Sequence, residues 1–185
     1  MSSVQVPLSR QAEAALWAIT AMDTRAQPPD FAVLRVPSIV ENYVDSILEL
    51  LANEYLAGES PFEHALGQLA RERLHQSWPS RREWLRESFA ISVDGDPVDQ
   101  DFALLVQLRN AVAHGSNALT RLQRGKLSEQ LELERNFHQR LEVLVDGYRF
   151  RTTRGTAAAA VRVGSRFIRL LDAQASPALR SRGLS

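Results

Sequence analysis

Apolar positions recur at helical spacing along most of the chain and alternate in one short stretch only. Residues 38–56 carry the clearest pattern, with Val40, Val44, Ile47 and Leu51 on one face. Pro37 suits the first turn of that helix and Gly58 its stop. Residues 9–23 are alanine-rich and free of breakers, which predicts a first helix. Residues 24–36, with Pro28 and Pro29, read as a linker. A third helix is expected over 61–77, with Phe62, Ala65, Leu66 and Leu69 on one side and Trp78–Pro79 as its end. Ser80 and Glu83 have the spacing of a capping box that opens a short helix to about Ala90.

Residues 92–100 hold Asp-Gly and Asp-Pro and read as an acidic turn. Helices are expected over 101–114, closed by Gly115, over 126–146 and over 156–173. The last shows an apolar face of Val163, Phe167, Ile168 and Leu171. The alternation in 148–153 predicts a short strand, and Ala175 to Ser185 a frayed tail. The class is therefore all-α, a bundle of six to seven helices with short connections. Its divisions are an N-terminal helix and linker over 1–30, a helical domain over 31–174 and a tail over 175–185.

A chain of 185 residues with 44% hydrophobic and 24% charged positions has the mix of one folded domain, which excludes collagen-like and wholly disordered classes. It has no cysteine and four scattered histidines, so neither a disulfide framework nor a metal site is expected, and no cofactor. No apolar run suits a membrane span and the first residues lack a secretion pattern, so the expected location is the cytoplasm, away from membranes. The net charge of zero hides an asymmetry. Residues 1–108 carry 8 Arg against 16 acidic residues, and residues 109–185 carry 14 basic against 6 acidic. Lys126 is the one lysine. Either the halves neutralise each other on folding, or the arginine-rich half meets an anionic partner such as nucleic acid.

The chemistry-bearing stretch is Leu105 to Asn117, LVQLRNAVAHGSN. An R-x4-H pair alone arises easily by chance in so arginine-rich a chain. With Asn110 after Arg109 and Gly115 after His114, the string becomes specific. On a helical wheel Leu104, Leu105, Leu108, Ala111 and Val112 form a core stripe. Relative to Leu108, Arg109 lies at about 100°, Asn110 at about 200° and His114 at about 240°, away from that stripe. Val106 and Ala113 make a narrow small-residue seam on the same outer side, where a second copy of the helix would pack as a homodimer. Asn110 and His114 are neighbours on the helix, so the amide is placed to orient the imidazole. Arg109 and His114 are not side by side. Either the arginine reaches round, or Arg109 of one subunit works with His114 of the other.

These residues suit RNA cleavage. RNA carries its own nucleophile, the 2′-hydroxyl. Histidine moves protons near neutrality, and arginine steadies a phosphate's developing charge. Whether His114 serves as base, acid or both stays open. A blander reading makes His114 a C-terminal cap and Arg109 the partner of an acid.

RNAVAHG, on a late helix of a small all-α chain, resembles the HEPN superfamily of higher eukaryote and prokaryote nucleotide-binding domains. The early helix VPSIVENYVDSILELL fits the family's first core helix, and the resemblance spans roughly residues 31–172. It implies a metal-independent endoribonuclease, acting as a dimer in a toxin–antitoxin or phage-defence setting, with an antitoxin or defence protein as partner. The alternative it implies is a non-catalytic module that binds nucleotides or proteins. It also points to Glu41, with Ser38 a turn earlier, as polar groups that support the cleft, although a glutamate there can equally face solvent. Ser116 stands where some relatives carry a tyrosine modified by a partner enzyme, which argues against that style of control.

Arg162, Arg166 and Arg169 recur as a basic stripe on the last helix, with Arg149, Arg151 and Arg154 just before it. The stripe reads either as an RNA-backbone track or as a solvated, acid-paired face. His64, His75 and His138 have no partner at a meaningful spacing, and Trp17, Trp78 and Trp84 are expected in the core.

Overall fold

The helical periodicity is realised almost everywhere it occurs. The computed structural model describes residues 7–56, 61–74, 76–115, 126–146 and 149–181. Among them the chain is all-α, with seven helices and one small hairpin. The helices are α1 (Arg10–Thr20), α2 (Pro29–Leu56), α3 (Pro61–Leu74), α4 (Trp78–Glu83), α5 (Pro97–Gly115), α6 (Leu127–Leu141) and α7 (Arg154–Ser181). A π-helical turn, Trp84–Ser88, follows α4. The hairpin pairs β1 (Leu144–Asp146) with β2 (Arg149–Arg151) antiparallel, Val145 opposite Phe150.

Several boundaries differ from the sequence pattern. The expected linker is largely helix, because α2 begins at Pro29. Pro29 takes the first turn, where its missing N–H costs nothing. The helix then runs through Pro37, which is itself buried. An interior proline costs about 3 kcal/mol. Val33, Val36, Ile39 and Val40 are all buried around it, and such side chains contribute roughly 1.5–3 kcal/mol each. Ser77, not Ser80, caps α4: its hydroxyl accepts from the Ser80 N–H at 3.3 Å, and Pro79 occupies the first turn.

The expected helix over 126–146 stops at Leu141, because Glu142 takes a left-handed conformation at φ 56°. The Val143 N–H then closes on the Phe137 carbonyl at 3.2 Å. The π-helical turn ends in the same way, with Ala90 at φ 54° and the Ile91 N–H on the Leu85 carbonyl at 2.9 Å. Both are glycine-type helix ends built without glycine, which is why no sequence signal marks them. The acidic turn is shorter than the expected 92–100, because α5 begins at Pro97 rather than at 101; Gly95 lies in the turn at φ 82°. The Asp96 carboxylate accepts the Val98 N–H at 2.7 Å and so caps α5.

The predicted tail is also helix. α7 continues to Ser181, with Ala175 and Leu179 buried. Pro177 lies inside it on an exposed turn, where water can satisfy the carbonyl it leaves without a donor. Trp17 is 73% exposed rather than in the core, while Trp78 and Trp84 are half-buried. On α3 the expected apolar side is not buried at its described positions: Leu69 is 57% exposed and Ala65 is exposed.

The chain forms two compact units, Met1–Ala15 with Val40–Asp94 and Ile168–Ser185, and Leu16–Ile39 with Gly95–Phe167. In the first unit, Val44, Ile47, Leu48 and Leu51 of α2 and Leu171 and Ala175 of α7 are fully or almost fully buried. A single carboxylate lies within this apolar set. Asp172 is 1% exposed and accepts the Ser9 N–H at 3.0 Å, the Ser9 hydroxyl and the Tyr43 hydroxyl at 3.1 Å. Ser9 is also the N-cap of α1, accepting the Ala12 N–H at 3.2 Å. Arg81 reaches Asp45 with two bonds, at 2.6 and 2.9 Å, which with the Asp45 and Glu41 charges raise its already high pKa.

In the second unit, Phe102 stacks on Phe167 at 4.3 Å, and Phe137 meets Phe150 edge-on at 5.3 Å. Leu105, Leu108, Phe137 and Leu141 are fully buried. The left-handed Glu142 is held from several sides. Its carbonyl accepts the hydroxyls of Thr153 and Thr156, and its carboxylate pairs with Arg162 at 3.1 Å.

Asp172→Ala leaves three donors without their acceptor, so chemical denaturation should show a loss of about 3 kcal/mol or more. Burial first, then the Asp172 charge and hydrogen bond, push the Tyr43 hydroxyl far above the usual phenol range. A raised folded-state pKa stabilises the fold fully below the unfolded value of about 10, and the contribution is lost as pH rises above it. Wild-type stability should therefore fall more steeply than that of Tyr43→Phe in a titration from pH 9 to 11.

Candidate functional site

α5 positions the motif. Its first turn is fixed by the Asp96 cap, and Leu104, Leu105, Leu108 and Ala111 are buried as the wheel requires, with Val112 half-buried. This orientation leaves Arg109 and Asn110 half-buried and His114 exposed. Arg109 Nη1 donates to Asn110 Oδ1 at 3.0 Å. The arginine thus reaches round the helix to its neighbour, and Asn110 takes its orientation from Arg109. With Oδ1 engaged there, the amide keeps its two N–H donors for other partners. Gly115 is the last residue of α5, and Ser116 lies outside the described residues. Of the proposed seam, Val106 is half-buried and Ala113 exposed.

Asn110 and His114 open on a groove of about 930 Å³ between α5 and α6. On the α5 side it is continued by Gln107, Leu104 and Gln100, on a single helical face. On the α6 side it is lined by Glu129, Glu132, Leu133, Asn136 and Arg140. The two helices run antiparallel along it, since Arg140, late in α6, bonds Asp101 at 2.5 Å and the Pro97 carbonyl at 3.4 Å, early in α5. At the other end, the Lys126 N–H donates to Glu129 Oε2 at 3.3 Å, which fixes the start of α6. Arg140 spends its charge on Asp101. The remaining charged groups on the wall are the carboxylates of Glu129 and Glu132. Sequence reasoning did not single out this α6 wall. Its signal was the recurrence of Glu129, Glu132, Asn136 and Arg140 at helical spacing on the flank beside the buried Phe137 and Leu141.

Ser38, Glu41, Arg162, Arg166 and Arg169 are not among the residues that line this groove. Ser38 bonds the Leu34 carbonyl of its own helix at 3.2 Å. Glu41 belongs to the first unit, where its charge acts on Arg81. Arg162, Arg166 and Arg169 are exposed along α7, and Arg162 is paired with Glu142. Arg149 and Arg151 point outward from β2 on either side of the buried Phe150. His138 is exposed, with Nδ1 3.1 Å from the Val143 carbonyl, and His64 and His75 lie outside the described side chains. The two charge halves are in part neutralised within themselves, through Arg81–Asp45, Arg82–Asp94 and Arg162–Glu142, while Arg140–Asp101 joins them.

No helix among the described residues is long and apolar enough to cross a membrane. Comparison of the chain with protein-family models, curated proteins and solved structures returns no match.

Arg140→Ala should lower stability by about 1 kcal/mol, the scale of a partly exposed bridge. Adding Asp101→Ala should cost less than the sum of the two single changes, which a double-mutant cycle from urea titrations would measure.

Proposed function

We propose that the protein is a metal-independent endoribonuclease of HEPN type that cleaves RNA through attack of the 2′-hydroxyl on the adjacent phosphate. The observation that carries this reading is the RNAVAHG string on α5, with Arg109 bonded to Asn110, and Asn110 and His114 opening on one groove. In this reading Arg109 holds the phosphate and stabilises the charge that develops on it. His114 transfers the proton of the 2′-hydroxyl or of the leaving 5′-oxygen. Asn110, fixed by Arg109, donates its amide hydrogens at the reacting centre, and Gly115 ends the helix beside it.

Arg109 and the groove side chains leave α5 on different flanks. A homodimer through the motif helix, along Val106 and Ala113, would bring Arg109 of one copy to His114 of the other. The exposed arginines of α7 and β2 would then track the RNA backbone. A toxin–antitoxin or phage-defence setting, with an antitoxin or defence protein as partner, and a cytoplasmic location belong to the same reading. The setting and the partner come from the family resemblance, and the location from the sequence's lack of an apolar span and a secretion pattern.

Purified protein incubated with labelled RNA in excess EDTA should produce 2′,3′-cyclic phosphate ends. His114→Ala and Arg109→Ala should each slow cleavage by about 100-fold or more. His114 is exposed, so its variant should keep the wild-type melting temperature. Intact RNA with the folded wild type would favour a binding module on the same fold.

A further inference from the structure

Beyond Asn110 and His114, the α5–α6 groove has a chemistry that the cleavage reading leaves unused. Its base is apolar: Leu104 is buried and Leu133 half-buried. Its sides carry the carboxamides of Gln100, Gln107, Asn110 and Asn136. Such a surface suits the flat face of an unstacked base, with its edge toward hydrogen-bonding side chains. The ionised groups set the polarity. Arg140 is occupied by Asp101, whereas Glu129 and Glu132 are exposed and present accepting oxygens along the α6 wall. A phosphate backbone would meet repulsion there. The arginines suited to phosphate stand outside this wall, at Arg109, Arg149, Arg151 and Arg166.

We infer that the groove receives a base of single-stranded RNA, not its backbone, and selects adenine, through its N6 amine, and cytosine, through its N4 amine, over uracil, which has a carbonyl at the corresponding position. A carboxylate accepts from the cytosine N4 amine, and an Asn or Gln amide bonds adenine through N6 and N7. Uracil replaces that amine with a carbonyl, which places oxygen against oxygen at Glu129 or Glu132. The inference rests on RNA being the substrate and adds the identity of the base held beside His114.

The test measures binding apart from cleavage. Labelled eight-nucleotide oligomers of A, C or U with 2′-fluoro sugars lack the attacking hydroxyl, and fluorescence anisotropy reads their affinity for the wild-type protein. The A and C oligomers should bind about tenfold more tightly than the U oligomer, the discrimination of one well-made base contact. The paired change Glu129→Gln with Glu132→Gln should shrink that ratio to about threefold or less, because each new amide can donate to uracil. Both positions are exposed, and a glutamine at 129 keeps an oxygen for the Lys126 N–H that starts α6, so the melting temperature should hold. Equal affinity for the three oligomers, no binding to any, or a uniform tightening in the paired variant would overturn the inference. Cleavage of natural RNA in EDTA, run beside it, separates the two readings. Cleavage without base preference sinks the groove assignment alone, and base preference without cleavage sinks the nuclease alone.

Discussion

The first unit depends on one buried carboxylate, that of Asp172. Asp172 is surrounded by apolar helix faces and accepts from Ser9 twice and from Tyr43 once. A charge placed this deep is tolerable only when donors replace the water it has lost. Those donors come from the start of α1 and the middle of α2, and the acceptor from α7. The bonds therefore set which turn of each helix faces the others. Apolar contacts alone tolerate sliding by a turn, and a hydrogen-bonded carboxylate does not.

The second unit solves a related problem with aromatic rings and a strained backbone position. Phe102 on Phe167 and Phe137 on Phe150 join α5 to α7 and α6 to the hairpin. Glu142 takes a left-handed conformation that a side chain disfavours, and its contacts offset the strain through two threonine hydroxyls and Arg162. This turn ends α6 at Leu141 and so fixes the length of the wall that faces α5. The groove beside His114 follows from that spacing and from the Arg140–Asp101 bridge.

The motif's internal arrangement differs in emphasis from the wheel. The wheel set Asn110 beside His114 and Arg109 apart from both. In the fold, Arg109 and Asn110 are bonded, and Asn110 and His114 share the groove. A flexible arginine crosses an angle that a wheel treats as separation, because the wheel tracks Cβ directions and ignores side-chain length. The local result is a donor-rich flank on α5 opposite an acceptor-rich wall on α6.

What the chain determined by itself was whatever depends on neighbours along the helix. The all-α class, the buried face of α5, the turn at Asp94–Gly95, the strand near Phe150 and the outward motif all follow from local periodicity and turn chemistry, which act over a few residues. Tertiary structure decided what depends on distant partners. Helix α2 passes through Pro37, α7 continues past Ala175, and α6 stops at a non-glycine residue, because packing energies of several kcal/mol override weaker local preferences. The Asp172 acceptor site and the α6 wall of the groove were equally hidden. Their residues lie far apart in sequence or on separate helices, and no spacing rule links an acid to the serine and tyrosine that will hold it.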